Sequence, residues 1–527
     1  MIRLGEFQIL YFCLLVCTSW AAVTHRISSI NTRGLGITTT HTEVVDNSFG
    51  SKLRITCLTI GTRGDVQPFI ALSQGLQEFG HTCTIATHLE FKGMIENAGL
   101  KFKDIGGSPA ELLKHCLENP FFSLTFFTQG LERFSGWIKT LLPAAKNACK
   151  DADLIIESPT AMVGRHIAES MKIPYLRAFT MPWTTTKYYP QAFAASSIDT
   201  RNWWFDFLRS FFNYASYPMF DYVFWKGIKG YVNEWRVKEL NLPATNFWKL
   251  RQKELPILYN FSESVVERPK DWDKSVYITG YWFVDLAKGS EGKTSNEDVP
   301  ENVKRFIKKA KSQEKKVVYI GFGSVDVPDA ENVFEAIEKA VASAKVWAII
   351  SRAPGQKLAT PGPSMRQKQV TAVPSALQEK KAFNVAPPIS QQKKYVTAVA
   401  PSSQEKEAIG PILYIQSISH ERLFPLIDAA FHHGGAGTTG ASIKAGIPTL
   451  IKPFLGDQYF WAERVETLKI GKFIKTFEVS ELERAFRAAT TEGEMKHRSK
   501  VIGQEVQAED GVGKAIAIIR EVGSFSS

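Results

Sequence analysis

From residue 51 onward, short apolar runs alternate with longer amphipathic ones. Residues 53–60 (LRITCLTI) make a β-rich run, and Phe69, Ile70, Leu72, Leu76 and Phe79 then share one helical stripe that Gly80 ends. Residues 82–88 and 153–157 (DLIIE) read as strands, followed by a helix around 162–171 and a strand at 174–179. The rhythm resumes with strands at 316–320, 346–351, 412–416, 429–433 and 448–452, and a helix over 330–344. Strands alternating with helices predict parallel sheets covered on both faces. The fold class is therefore α/β, as two Rossmann-like domains facing across a cleft.

Other stretches break this pattern. Residues 1–50 form an apolar leader and flexible tail, in which 7–17 (FQILYFCLLVC) is too short to cross a bilayer. It reads as a secretory signal core, with Ala21 and Ala22 behind it, or as a plain apolar tail. The N-terminal domain occupies 51–286, a polar linker 287–301, and the C-terminal domain 302–352 and 411–510, with a C-terminal helix and tail at 511–527. Residues 353–410 hold seven prolines and an imperfect duplication, KQVTAVPSALQEKKA from Lys368 and KYVTAVAPSSQEKEA from Lys394. Such composition predicts a low-complexity surface insertion, with a partner-binding repeat as the second reading.

Charge narrows the classes of partner. The net +11 is partly local, because residues 353–410 carry eight basic and three acidic side chains. The mild remainder suits an anionic ligand or membrane surface, and no clustered basic face points to nucleic acid. The six cysteines show neither CxxC pairs nor zinc spacing, so no disulfide framework and no metal site is expected.

Three segments carry chemistry. His432 and the run His433-Gly434-Gly435-Ala436-Gly437-Thr438-Thr439 follow a strand and open a helix, where backbone N–H groups and the helix terminus suit a diphosphate. A merely tight turn is the alternative. Asp457 and Gln458 offer acceptors and donors for sugar hydroxyls, or an N-cap. Gly61-Thr62-Arg63-Gly64-Asp65 ends the first strand, with Asp65 a general base or the N-cap of the helix containing Pro68. This loop lacks the GxGxxG dinucleotide fingerprint.

In collinear order, GTRGDVQP (61–68), MPW (181–183), ITGYWF (278–283) and HHGGAGTTGASIKAGIPTLIKPFLGDQ (432–458) resemble the UDP-glucose:sterol 3-β-glucosyltransferases, a fungal-type branch of the nucleotide-sugar glycosyltransferases with the GT-B fold. The resemblance covers 52–352 and 411–522. Antibiotic glycosyltransferases share the first and last motifs, whereas the MPW and GYWF segments favour the sterol branch. It implies an acceptor-binding N-terminal domain and a UDP-glucose-binding C-terminal domain. Asp65 matches the base, supported by Gly61, Thr62, Arg63 and Gly64; His433 to Thr439 match the diphosphate site, Gly323 and Ser324 the first loop of the second domain, and Asp457 and Gln458 the glucose contacts. UDP-glucose would be a co-substrate, with neither cofactor nor metal needed.

Fourteen aromatics lie between Trp203 and Trp235. Trp203, Trp204 and Phe205, with Trp183, are candidates for acceptor or membrane contact; burial in a helical core is the alternative. The partners expected are UDP-glucose, a sterol and a membrane surface. The location expected is the cytoplasmic face, peripherally membrane-associated, or the secretory pathway if the leader acts as a signal. A nucleotide-sugar epimerase and a non-catalytic sterol-binding protein are the rival functions.

Overall fold

The computed structural model describes residues 52–119, 124–194, 206–251, 255–284, 299–323, 325, 327–352 and 410–524. The leader, linker residues 287–298, Trp203, Trp204, Phe205, Ser324 and residues 353–409 lie outside the described residues. The chain on either side of 354–410 forms one compact unit.

Within it, the alternating pattern gives two wholly parallel sheets. The first comprises β1 (Arg54–Leu58), β2 (Thr82–Thr87), β3 (Lys101–Asp104), β4 (Leu154–Glu157), β5 (Tyr175–Phe179), β6 (Ile257–Tyr259) and β7 (Val276–Ile278). Its order is β3-β2-β1-β4-β5-β6-β7. The second holds β8 (Val317–Gly321), β9 (Trp347–Ser351), β10 (Ile412–Ile415), β11 (Ala429–His432), β12 (Thr449–Ile451) and β13 (Gly471–Phe473), ordered β10-β9-β8-β11-β12-β13. Strand order reverses between β1 and β4 and again between β8 and β11. At such a reversal the neighbouring crossovers leave to opposite faces, which opens a crevice at the strands' C-terminal ends. Leu58 stands opposite Glu157, and Gly321 opposite His432, so each crevice begins at a defined register.

Four strands escape the sequence pattern for physical reasons. β3 is a polar edge strand with no buried residue, and β6, β7 and β13 are three residues each, too short for a periodicity. The linker expected to reach residue 301 ends earlier, since Val299 is buried and Glu301 opens the helix Glu301–Ser312.

One expectation is corrected by packing. Trp183 lies in the core, edge-on to Phe179, Phe193 and Phe220 at 5.1–5.8 Å, rather than facing an acceptor or a membrane. Trp225 and Trp235, from the same aromatic stretch, are buried on the 33-residue helix Asp206–Lys238. The expected C-terminal helix is present as Gly511–Ser524, and its Ala515, Ile516 and Ile519 are buried with Phe69 and Leu72 in the core of the first sheet. A methyl built on Gly75 would lie 2.6 Å from Val512 and 2.9 Å from Ile516, so the helices pack as closely as glycine allows.

Truncating Ile516 to Ala should therefore cost about 2–5 kcal/mol, the range for large-to-small core changes. Denaturant melts that left stability unchanged would show that this helix is dispensable to the first core.

Candidate active site

The loop after β1 carries Gly61, Thr62, Arg63 and Gly64 into the helix Arg63–Glu78. Thr62 is the N-cap and Asp65 the third helical residue, which corrects the N-cap reading of Asp65. Asp65 Oδ2 accepts the Thr62 backbone N–H at 2.7 Å and the Thr62 hydroxyl at 3.1 Å. This capping box satisfies a helix-end donor and fixes the carboxylate's orientation. Burial raises the Asp65 pKa against these opposing hydrogen bonds. A supporting residue that the sequence reading missed is His88, at the end of β2. Its Nε2 accepts the Gly61 N–H at 3.3 Å while Nδ1 donates to the Gly106 carbonyl at 2.7 Å, which selects one tautomer. A histidine at the C-terminal end of the neighbouring strand is the positional signal for this role.

On the other lobe, β11 delivers His432 and His433 to the helix Ala436–Lys444, with Gly435 as N-cap. His432 Nδ1 accepts the Gly434 N–H at 3.0 Å, which turns the loop away from the strand. Methyls built on Gly323 and Gly435 would approach the His433 ring at 3.1 and 2.7 Å; the left-handed φ of +62° favours glycine at 323, and a side chain at 435 would press on the imidazole. Burial lowers the His433 pKa to about 4, leaving a neutral ring at pH 7 whose buried Nδ1 has no hydrogen-bond partner. The Thr439 hydroxyl is also buried without one, whereas Thr438 is half-buried. Anion stabilisation here would come from N–H donors and the helix terminus rather than from a histidine cation.

Asp457 is the N-cap residue of the helix Gln458–Thr467, and its Oδ2 accepts the Trp461 indole N–H at 3.0 Å. Trp461 is a second residue that sequence reasoning missed, although it stands one helical turn away. Gln458 is buried and its Oε1 accepts the Phe454 and Leu455 N–H groups at 2.8 and 3.2 Å, so its carbonyl oxygen serves the turn rather than a sugar. Burial first, and the Asp65 carboxylate after it, raise the Asp457 pKa to about 7 against the opposing Trp461 hydrogen bond. The two carboxylates therefore face one cleft. The loops nearly touch as well: a methyl on Gly437 would meet Gly64 Cα at 3.8 Å.

Two parallel-sheet lobes with glycine-rich loops meeting at both crevices are a GT-B fold. The calicheamicin glycosyltransferase CalG4 superposes with TM-score 0.60 at 14% identity, covering 90% of this chain and all of CalG4. Residues 55–190 match the glycosyltransferase family 28 N-terminal domain. Within that class the chain is a relative of the fungal sterol 3-beta-glucosyltransferases. It is 44% identical over 475 residues to that of Cryptococcus neoformans var. neoformans serotype D, covering 89% of this chain and 27% of the relative. It is 43% identical over 471 residues to that of Emericella nidulans, covering 89% and 30%. The chain thus spans under a third of the length of these curated relatives.

Replacing Asp65 by Asn removes a negative charge facing Asp457, which favours the Asp457 anion. Its titration midpoint should fall below the present value of about 7, read by carboxyl NMR. An unmoved midpoint would mean that the carboxylates do not interact.

Proposed function

We propose that this protein transfers glucose from UDP-glucose to the 3β-hydroxyl of a membrane sterol with inversion at the anomeric carbon. The observation carrying this reading is the approach of the Asp65 loop to the diphosphate-type loop at Gly64 and Gly437, which puts a base and a leaving-group site on one cleft. Asp65 Oδ2 is held by Thr62, so Oδ1 accepts the sterol hydroxyl proton as that oxygen attacks the anomeric carbon and the bond to the diphosphate breaks. The raised pKa of Asp65 makes it a stronger base than an exposed aspartate. The His433 ring and the N–H groups of the first helical turn, Ala436 to Thr438, receive the charge developing on UDP, since the Gly434 and Thr439 N–H groups are already bonded to His432 and to the Gly435 carbonyl. Asp457, oriented by Trp461, accepts a glucose hydroxyl. No divalent metal takes part in this mechanism.

Sterols are nearly insoluble in water, so the acceptor lobe works at a membrane surface. The helix Asp206–Lys238 supports this at its start, where Phe207 is 76% exposed beside the half-buried Arg209, which pairs with Asp206. We place the protein peripherally on the cytoplasmic face, where UDP-glucose is supplied. Among the described residues no helix is long and apolar enough to cross a membrane.

The test is UDP-glucose turnover with and without ergosterol or cholesterol in liposomes. Sterol-dependent UDP release with steryl glucoside formation is expected. Sterol-independent turnover would favour the epimerase or another acceptor, and no turnover would favour a binding protein. Asp65→Asn should keep UDP-glucose affinity and lose about 10²–10⁴-fold in rate, the usual share of a general base. Chelation should leave the rate unchanged, and a strict Mg²⁺ requirement would overturn the metal-free mechanism.

A further inference from the structure

The segment Thr279-Gly280-Tyr281-Trp282-Phe283, which leaves β7, has no part in the chemistry above, yet it touches both lobes. Trp282 is buried in the first lobe, edge-on to Phe69 at 6.2 Å, with its indole N–H donated to the Thr279 hydroxyl at 2.9 Å. Its two neighbours project instead onto the helix Ala436–Lys444, which begins in the diphosphate-type loop. Tyr281 and Phe283 stack on each other at 5.3 Å. A methyl on Gly440 would lie 2.7 Å from Tyr281 Cε1, and Lys444 Nζ sits 4.1 Å above the Phe283 ring. The tyrosine hydroxyl itself is buried without a hydrogen-bond partner, so the ring rather than the hydroxyl makes the contact.

Gly437, where the same helix meets Gly64, is one turn from Gly440. A displacement of the helix at Gly440 is thus transmitted to the gap between the base loop and the diphosphate-type loop. We infer that Tyr281 is a positioning residue: seated in the first lobe by Trp282, its ring sets the depth of the helix Ala436–Lys444 and so the distance between Asp65 and the donor. Gly440 is the complementary surface. The inference rests on the glucosyltransferase reading for its kinetic consequence but not for the packing it describes.

Kinetics and hydrogen exchange test it together on the full-length chain. Tyr281→Ala should lower kcat roughly 10- to 100-fold, the scale of an ångström-sized misplacement, with UDP affinity changed less than about threefold. Tyr281→Phe keeps the ring and should stay within about twofold of wild type, since the hydroxyl makes no hydrogen bond to lose. Gly440→Ala should reproduce the loss, and Tyr281→Leu added to it should restore part of the rate by relieving the clash. Amide exchange across 436–444 should quicken in Tyr281→Ala without UDP, whereas exchange in β1 stays as in wild type. A Tyr281→Ala protein with wild-type kcat, or with exchange unchanged at 436–444, would overturn the inference. If the wild type transfers no glucose, the function fails instead, and the exchange measurement still decides the role of Tyr281.

Discussion

Everything at the cleft depends on one constraint: two parallel sheets must present the C-terminal ends of their strands to each other. A parallel sheet collects the loops entering its following helices on one side, and those helices begin with unpaired N–H groups. Turning two such sides together juxtaposes the Asp65 loop and the glycine-rich loop at Gly434 to Thr439 without a dedicated domain. The lobes are fastened away from the loops. Arg464 donates to the Val265 carbonyl from Nε and Nη2 at 3.1 and 2.9 Å, and Ser262 donates to Glu509 at 2.6 Å. The helix after Glu509 then returns to the first core. Three attachments of different chemistry fix an orientation that one contact would leave free to rotate.

The cleft's electrostatics follow from this enclosure. Burial makes charge expensive, so carboxylates are pushed toward the neutral acid and imidazoles toward the neutral base. Asp457 at about 7 and His433 at about 4 are the two sides of the same effect. The oriented dipoles of the helix that starts at Ala436 stand on one side of the cleft, and Arg63 on the other is close enough to His420 to add to burial in depressing its titration. Such groups hold developing charge without first being reorganised, which is what leaving-group departure requires.

How much of this was legible in the sequence varies with the kind of signal. The two lobes, the switch-point loops and the collinear motifs were readable because glycine placement and strand–helix alternation are local. Asp65 was open between base and cap because both roles use a carboxylate at the start of a helix; only three dimensions show that Oδ2 caps while Oδ1 is left. Trp183 misled because an aromatic beside a proline looks the same whether it faces lipid or Phe220. The supports from His88 and Trp461 and the return of Ile516 to the first core are long-range or side-chain-specific. No spacing rule reports them.

The capping box also explains how the Asp65 carboxylate can be both buried and fixed in orientation. A carboxylate free to rotate would have to be oriented during the reaction, at an entropic cost that slows the step. Here Thr62 holds Asp65 by two hydrogen bonds whose first purpose is to start a helix, and His88 holds the backbone of Gly61 from the next strand. Helix initiation and the orientation of this carboxylate are thus the same interaction, and under the proposed function the base needs no further ordering. Its energetic support is spread through the helix Arg63–Glu78, whose apolar face packs Phe69, Leu72 and Leu76 into the first core. The placement of one oxygen is therefore backed by the folding energy of a whole lobe, rather than by the few contacts visible in the cleft.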